Sequence, residues 1–353
     1  MEYPPGALAV FLPADVFGTS HYNAVFKSLM ALCGVAALFV LALLLVRLGT
    51  SGSRIWLATM LFALSPIALG PISLNTYDAW PALLTIVALA LLLAGNALVA
   101  FAVLGVAFAA KVYPIVLLPP ALVFIWRTRG RQRAIRALAA FVGAAAILVV
   151  PFLVLAPHGL AESFRAQAGR GLQEESLGGS ALAVADRLGL YSVTIVRRSG
   201  HAISYDLAGS LPDTLAVLSS VAQALAVFGV TWLYLRGRDD SRRLTVAFAA
   251  AIIGFLAFTR FFSPQYLVWV VPFAVLLGPA AWVLVALALM LAQLWFFHYH
   301  HGALGGYFWL VLLRDLLVVL LFAVVLARLR ARAPAKDEDP VLLEDEAPLR
   351  IPS

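Results

Sequence analysis

The sequence predicts an all-α fold: a polytopic membrane helical bundle of about 11 transmembrane helices with one long outer loop. Three observations predict it. Of 353 residues, 63% are apolar and 12% are charged, against roughly 25% charged in a soluble domain. The apolar residues gather into long runs, enough for roughly eleven spans at about 20 residues each. The basic residues cluster at alternate run ends. This composition excludes a soluble domain and a disordered chain. It also excludes a disulfide scaffold, because Cys33 is the single cysteine and has no intramolecular partner.

The first 21 residues are mixed, with Pro4, Pro5, Pro13 and Asp15 interrupting the apolar stretch Ala7 to Phe17. They are too short to span and lack the basic start and cleavage site of a signal peptide. The first full span runs from about Tyr22 to Val46. Apolar runs follow at Ile55 to Leu69, Ala79 to Ala94, Ala97 to Ala110, Ile115 to Trp126 and Ala137 to Ala156. Five more run from Leu215 to Leu235, Leu244 to Thr259, Tyr266 to Leu277, Ala280 to Phe297 and Phe308 to Leu326. Several are short or abut proline, so they are expected to tilt, break or pair as half-spans behind other helices.

Orientation follows from basic residues at span ends. If Arg47 and Arg54 are cytoplasmic, strict alternation places Arg127 to Arg136, Arg236 to Arg243 and Arg328 to Lys336 there too. The net charge of +7 is thereby explained without nucleic acid. The expected place is a bacterial plasma membrane, amino terminus outside and carboxyl terminus cytoplasmic. Residues 1–331 form the membrane domain and 332–353 a disordered, acidic cytoplasmic tail. The connection 157–212 lies outside; its middle, Ser180 to Gly189, has helical apolar spacing and is expected to lie on the outer leaflet.

Ionisable residues within spans are costly and mark candidate sites. Lys27, Asp78, Lys111, Arg260, Arg314 and Asp315 all fall near the outer ends of their helices, and the inner halves are almost free of charge. A proton or ion path would need polar groups through the full depth. The pattern describes instead a polar site on the outer face of an apolar bundle.

Lys111, ending an apolar run before Tyr113-Pro114, suits a phosphate as a point charge, or snorkels to the interface. Asp78 precedes Ala79-Trp80-Pro81 and fits a helix cap that can also face a pocket. Phe262 to Trp269 reads as an interfacial aromatic belt, with the Gln265 amide suited to sugar hydroxyls or phosphate. Arg170 to Ser176 concentrates an arginine and two carboxylates, read as a surface charge cluster or a site. Arg314 beside Asp315 reads as a buried pair orienting two helices. The run His298 to His301 lacks a nearby carboxylate or cysteine, so no metal is assigned. No glycine loop or nucleotide fold is present, so any energy comes with the substrate, as a lipid-linked donor would bring it.

Five segments together resemble a known family. They are Glu2-Tyr3-Pro4-Pro5-Gly6, Lys111-Val112-Tyr113-Pro114 with Leu117-Leu118-Pro119, Arg170 to Leu177, Ser263 to Trp269, and Leu313-Arg314-Asp315-Leu316. In this order they resemble glycosyltransferase family 87, the polyprenyl-phosphate-mannose-dependent membrane proteins of the GT-C superfamily. The resemblance implies an enzyme of the hexosyltransferase type, acting at the outer face. It would move a sugar, mannose being the expectation, from a polyprenyl phosphate to a glycolipid or glycan acceptor, with no cofactor. Such transfer needs a carboxylate base for the acceptor hydroxyl and cationic groups on the leaving phosphate. By the resemblance Lys111 and Arg260 take the donor phosphate. Tyr3, Tyr113, Arg170, Gln173, Glu175, Ser176, Gln265 and Tyr266 line the site.

The resemblance further implies a leading span and an acidic base ahead of the Tyr3-Pro4-Pro5 segment. Because the chain begins at Met1, three expectations stand: a longer natural protein, Glu2 or Asp78 in the base's place, or an inactive form. Two other classes compete with the transferase. A transporter or flippase of lipid-linked sugars is disfavoured by the uncharged inner halves, and a non-catalytic membrane scaffold is the third.

Overall fold

The structure, a computed structural model, describes residues 3–198, 204–300 and 307–331. Glu2, the acidic tail and His201 and His301 lie outside them, as do the side chains of His298 and His300. The chain opens with a 3-10 turn at Pro5–Ala7 and a short helix α1 (Leu8–Val16). Helices α2 (Tyr22–Arg47), α3 (Gly52–Leu69), α4 (Ile72–Asn75), α5 (Ala79–Leu93) and α6 (Ala97–Ala110) follow. A 3-10 turn, Tyr113–Leu117, leads into α7 (Leu118–Arg129), then α8 (Arg131–Leu155) and α9 (Pro157–Ala168). After the long connection come α11 (Ser210–Leu235), α12 (Ser241–Ala257), a second 3-10 entry at Pro264–Trp269 into α13 (Val271–Leu277), α14 (Pro279–His300) and α15 (Phe308–Arg330).

Among the described residues, six helices, α2, α3, α8, α11, α14 and α15, are long and apolar enough to cross a membrane. Several of these point large apolar side chains outward, including Leu32, Phe39, Trp56, Ile67, Ile147, Leu155, Phe228 and Trp232. An apolar outer surface on apolar helices is what a lipid solvent requires, since a soluble fold does not leave so much of it uncovered. The other predicted runs are shorter helices or helices broken at proline. They form the inside: nearly every residue of α12 from Leu244 to Ala257 is buried, and α6 is buried along most of its length.

Small residues allow this close packing, as is usual between helices in lipid. A Cβ added at Gly105 of α6 would stand 2.3 Å from the Phe141 carbonyl oxygen on α8, and one at Gly254 of α12 would meet the Phe322 ring of α15 at 2.6 Å. Both positions must therefore be glycine for the helices to cross as they do.

The basic side chains do more than mark one end. Arg127 donates to the Leu235 carbonyl (2.9 Å), Arg242 to Leu48 (3.1 Å), Arg328 to Leu277 (2.7 Å) and Arg47 to Leu93 (3.4 Å). Each acceptor lies at or just past the carboxyl end of a helix, where carbonyls lack intrahelical partners and the helix dipole favours a cation. Asp239 completes this end by pairing with Arg127 at 2.9 Å.

At the opposite end the long connection is more ordered than its composition suggests. Strands β1 (Leu172–Gln173), β2 (Thr194–Arg198) and β3 (Ser204–Ala208) form an antiparallel sheet in the order β1-β3-β2, with helix α10 (Leu177–Arg187) between β1 and β2. The helix expected near Ser180 to Gly189 is present, but the leaflet expectation is corrected. Its apolar face is covered by protein: Leu182 packs with Leu172, Leu207 and Ala216, and Ala183 with Trp295, Phe308 and Val311. The strands escaped the sequence reading because they are short and irregular in polarity.

Replacing Gly105 with alanine is expected to cost at least about 1 kcal/mol through overpacking, read as a lower Tm in detergent. The same change at Gly143 on α8, where nothing lies within 4 Å, is expected to leave Tm unchanged.

Candidate active site

Two proline-directed chain reversals build one corner of the loop end. Lys111 ends α6 in an extended conformation (φ −158°, ψ 143°), and the chain restarts as the Tyr113–Leu117 turn with Pro114 in its first turn. Ser263 is likewise extended ahead of Pro264 (φ −85°, ψ 144°), as the residue before a proline is driven to be. The first reversal presents Lys111; the second presents Tyr266 and Trp269.

These meet Asp78 at the start of α5. Lys111 Nζ lies 2.6 Å from Asp78 Oδ1, the side chains being 15% and 1% exposed. Trp269 Nε1 donates to the same oxygen at 2.6 Å. The ammonium also stands over the rings of Tyr77, Tyr266 and Trp269, 4.6, 4.8 and 5.0 Å from their centroids. Trp269 stacks on Tyr113 (3.9 Å) and on Tyr266 (4.4 Å). Tyr77 donates to the Ala110 carbonyl at 3.3 Å and packs edge-on against Tyr3 at 5.0 Å.

This arrangement corrects the reading of Asp78 as a helix cap. It has helical backbone angles and makes no side-chain cap bond; its Oδ1 takes the lysine and the indole, and among the described residues its buried Oδ2 has no hydrogen-bond partner. Snorkelling is corrected for Lys111 as well, since its ammonium turns inward to a partner and three aromatic faces.

The loop forms the adjoining wall. Glu175 accepts from Trp295 Nε1 at 2.5 Å and from Gln173 Nε2 at 3.3 Å. Arg314, fully buried, donates to the Glu175 carbonyl, pairs with Asp315 (2.8 Å) and lies over the Phe262 ring at 4.3 Å. Asp315 reaches the other way to Ser180 of α10 at 3.0 Å. The Arg314 and Asp315 pair therefore docks the loop onto α15. Ser176 is structural: its hydroxyl caps α10 by accepting from Gly179 N at 3.2 Å. Gln173 N donates to the Arg260 carbonyl at 2.9 Å, which fixes the loop to the segment leading into Ser263. Arg170 lies 5.1 Å over the Phe261 ring and is close enough for its charge to be felt at Lys111 and Tyr266. Gln265 is half-buried on the turn that carries Tyr266.

The structure thus brings together Lys111, Asp78, Tyr113, Tyr266 and, through Tyr77, Tyr3. Arg170, Gln173, Glu175 and Arg260 adjoin them, while Glu2 falls outside the described residues. Sequence reasoning missed Tyr77 and Trp295, and took Trp269 for an interfacial anchor. Their signal was a tyrosine beside an intramembrane aspartate and tryptophans on runs that also carry polar groups. Among the described residues no group of three or more His, Cys, Asp or Glu is arranged to hold a metal ion.

Burial changes the loop carboxyls. It raises Glu174 to about 8, with Glu175 and Asp206 adding repulsion. It raises Glu175 to about 7, opposed by Arg314 and the Trp295 hydrogen bond.

An apolar helical bundle with a cation and carboxylates gathered beneath a docked loop at one end defines a polytopic membrane protein with a polar end site. The chain belongs to glycosyltransferase family 87, whose model matches residues 2–259, and it is a membrane glycosyltransferase in that general sense. The matched span includes Asp78, Lys111 and the loop carboxylates; the Ser263 to Trp269 turn and Arg314 lie beyond it. Comparison with curated proteins gives no match.

Removing the Asp78 charge strands a buried lysine, so Asp78→Asn is expected to cost about 3 kcal/mol or more, read as a fall in Tm. Asp78→Leu with Lys111→Met is expected to recover most of that loss.

The loop is expected to loosen with alkali. Both glutamates have folded values above the ordinary 4.5, so their contribution to docking is complete below that value. It is lost as pH rises through about 7 and 8. Cleavage near the exposed Leu188 and Leu190 should quicken from about pH 5 to about pH 9, and Glu174→Gln with Glu175→Gln should flatten the dependence.

Proposed function

We propose that this chain transfers a sugar, mannose being the expectation, from a polyprenyl phosphate to a hydroxyl of a glycolipid or glycan acceptor. The reaction takes place at the loop end, which faces the outside of a bacterial plasma membrane. One observation carries the reading. A cavity of about 310 Å³, walled almost wholly by apolar side chains of α2, α3, α5 and α13, borders the start of α5 and the turn that carries Trp269. Its lining residues Ala79 and Val268 adjoin Asp78 and Trp269 in the chain. An isoprenoid tail asks only for an apolar slot, and its phosphate asks for a cation in the same region.

Lys111 supplies that cation. An ammonium has three donors, and Asp78 takes one of them. Arg170 adds a second positive charge nearby, and Arg260 stands on the segment to which the loop is tied. As the bond from the sugar C1 to the phosphate oxygen breaks, charge grows on the phosphate, where fixed cations stabilise it most. Tyr266 and Gln265 offer hydrogen bonds to sugar hydroxyls. Asp78 holds Lys111 and Trp269 through Oδ1 and acts as a positioning residue. Glu175 is partly exposed, held by Trp295 and Gln173, and raised to about 7. Among the described residues it is the carboxylate best suited to take the acceptor proton while the acceptor oxygen attacks C1.

The orientation rests on the arginines at the other end and the tendency of cytoplasmic ends to be basic. A single cysteine at Leu190 is expected to react with an impermeant maleimide on intact cells, and one at Thr128 only after lysis; native Cys33 is buried.

In nanodiscs with a labelled polyprenyl-phosphate sugar, Lys111→Ala is expected to lower transfer about 100-fold. Glu175→Gln is expected to lower it by a similar factor of about 100 and to abolish a rise in rate near pH 7. Unchanged transfer by Lys111→Ala would remove that residue from the mechanism.

A further inference from the structure

A second cavity, of about 150 Å³, opens within the loop, bordered by Glu174, Asp186, Arg187, Val193, Tyr205 and Phe308. It lies apart from the lysine site for a geometric reason. Beyond Gln173 the chain turns, closed by Ser176 N donating to the Gln173 carbonyl at 3.0 Å. Gln173 and Glu175 meet beside Trp295, while Glu174 lines this second cavity with residues of α10, β2 and β3.

Glu174 is only 3% exposed. Its N–H donates to the Tyr205 carbonyl at 3.1 Å, and the residue lines the cavity. A carboxyl this far removed from bulk water gains from a bound hydrogen-bonding partner. Burial also favours the protonated carboxyl, raised to about 8, which both donates and accepts.

The walls indicate what such a ligand is. Val193, Ala183 and the nearly buried Phe308 give apolar faces, while Glu174, Asp186 and Arg187 give hydrogen-bonding groups. Asp186 uses one oxygen for the Val193 N–H at 3.0 Å, leaving the other. A pyranose has matching chemistry, apolar C–H faces and a rim of hydroxyls, and the volume suits one ring.

We propose that this cavity binds one monosaccharide ring of the acceptor, a ring beyond the one bearing the reacting hydroxyl. The assignment rests on the transferase reading above. Phe308 packs on Trp295 at 4.9 Å, and Trp295 holds Glu175. A ring seated beside Phe308 therefore lies one aromatic layer from the carboxylate that takes the proton.

The test measures binding of methyl α-D-mannoside and methyl α-D-glucoside to the full chain in detergent by saturation-transfer NMR, with glycerol as the non-ring control. Transfer from the polyprenyl donor is assayed in the same preparation. The wild type is expected to bind a glycoside and not glycerol. Glu174→Ala and the cavity-filling Ala183→Leu are each expected to weaken that binding at least tenfold and to raise the acceptor KM with kcat held. Binding equally strong in both variants, or no glycoside binding by a wild type active in transfer, would overturn the assignment. A wild type that binds glycosides through this cavity but transfers nothing would instead count against the transferase reading.

Discussion

The loop end of the molecule depends on one buried ion pair. Asp78 and Lys111 leave water almost completely, which costs more than their attraction alone returns unless further groups compensate. Compensation comes from the Trp269 indole on the same carboxylate oxygen and from three aromatic faces around the ammonium. The gain is positional. The pair joins the first residue before α5 to the last after α6, 33 positions apart, and the indole brings in a segment 191 positions from Asp78. Three chain segments are thereby fixed at a single oxygen atom, and the stack of Tyr113, Trp269 and Tyr266 follows from their meeting there.

A second constraint sets the loop. Arg314 and Asp315 are neighbours on one helix, yet they hold different parts of the connection, the Glu175 carbonyl and the α10 hydroxyl of Ser180. The loop is thus docked by polar contacts from beneath and closed by its own small sheet from above. This explains how a polar segment keeps Glu174 buried and Glu175 partly so. Their altered acidity is a consequence of docking, and docking in turn responds to their charge.

Much of this was legible in the sequence because lipid leaves few choices. Apolar runs, alternating arginines and outer-end charges fixed the class, the helices and the end at which polar chemistry gathers. Helices α2, α6 and α11 begin or end within a few residues of their predicted bounds. What the sequence did not reveal depends on distant pairing. Asp78 looks like a cap until Lys111 is seen beside it, and Trp269 looks like an interfacial anchor until its N–H finds a carboxylate. The strands of the loop were hidden for the same reason, since β1 is two residues long and exists only because β3 returns to meet it. Glu174 and Glu175 are alike in sequence, and only the turn that follows β1 separates their surroundings.

The helices that carry the ion pair are short. At about 1.5 Å per residue, the 15 residues of α5 and the 14 of α6 rise about 22 Å, whereas the hydrocarbon layer is about 30 Å thick. Neither helix is long enough to cross that layer by itself, and six longer helices meet the length that crossing needs. The ion pair is therefore carried by the two short helices, and the depth at which it sits is set by the longer ones that enclose them.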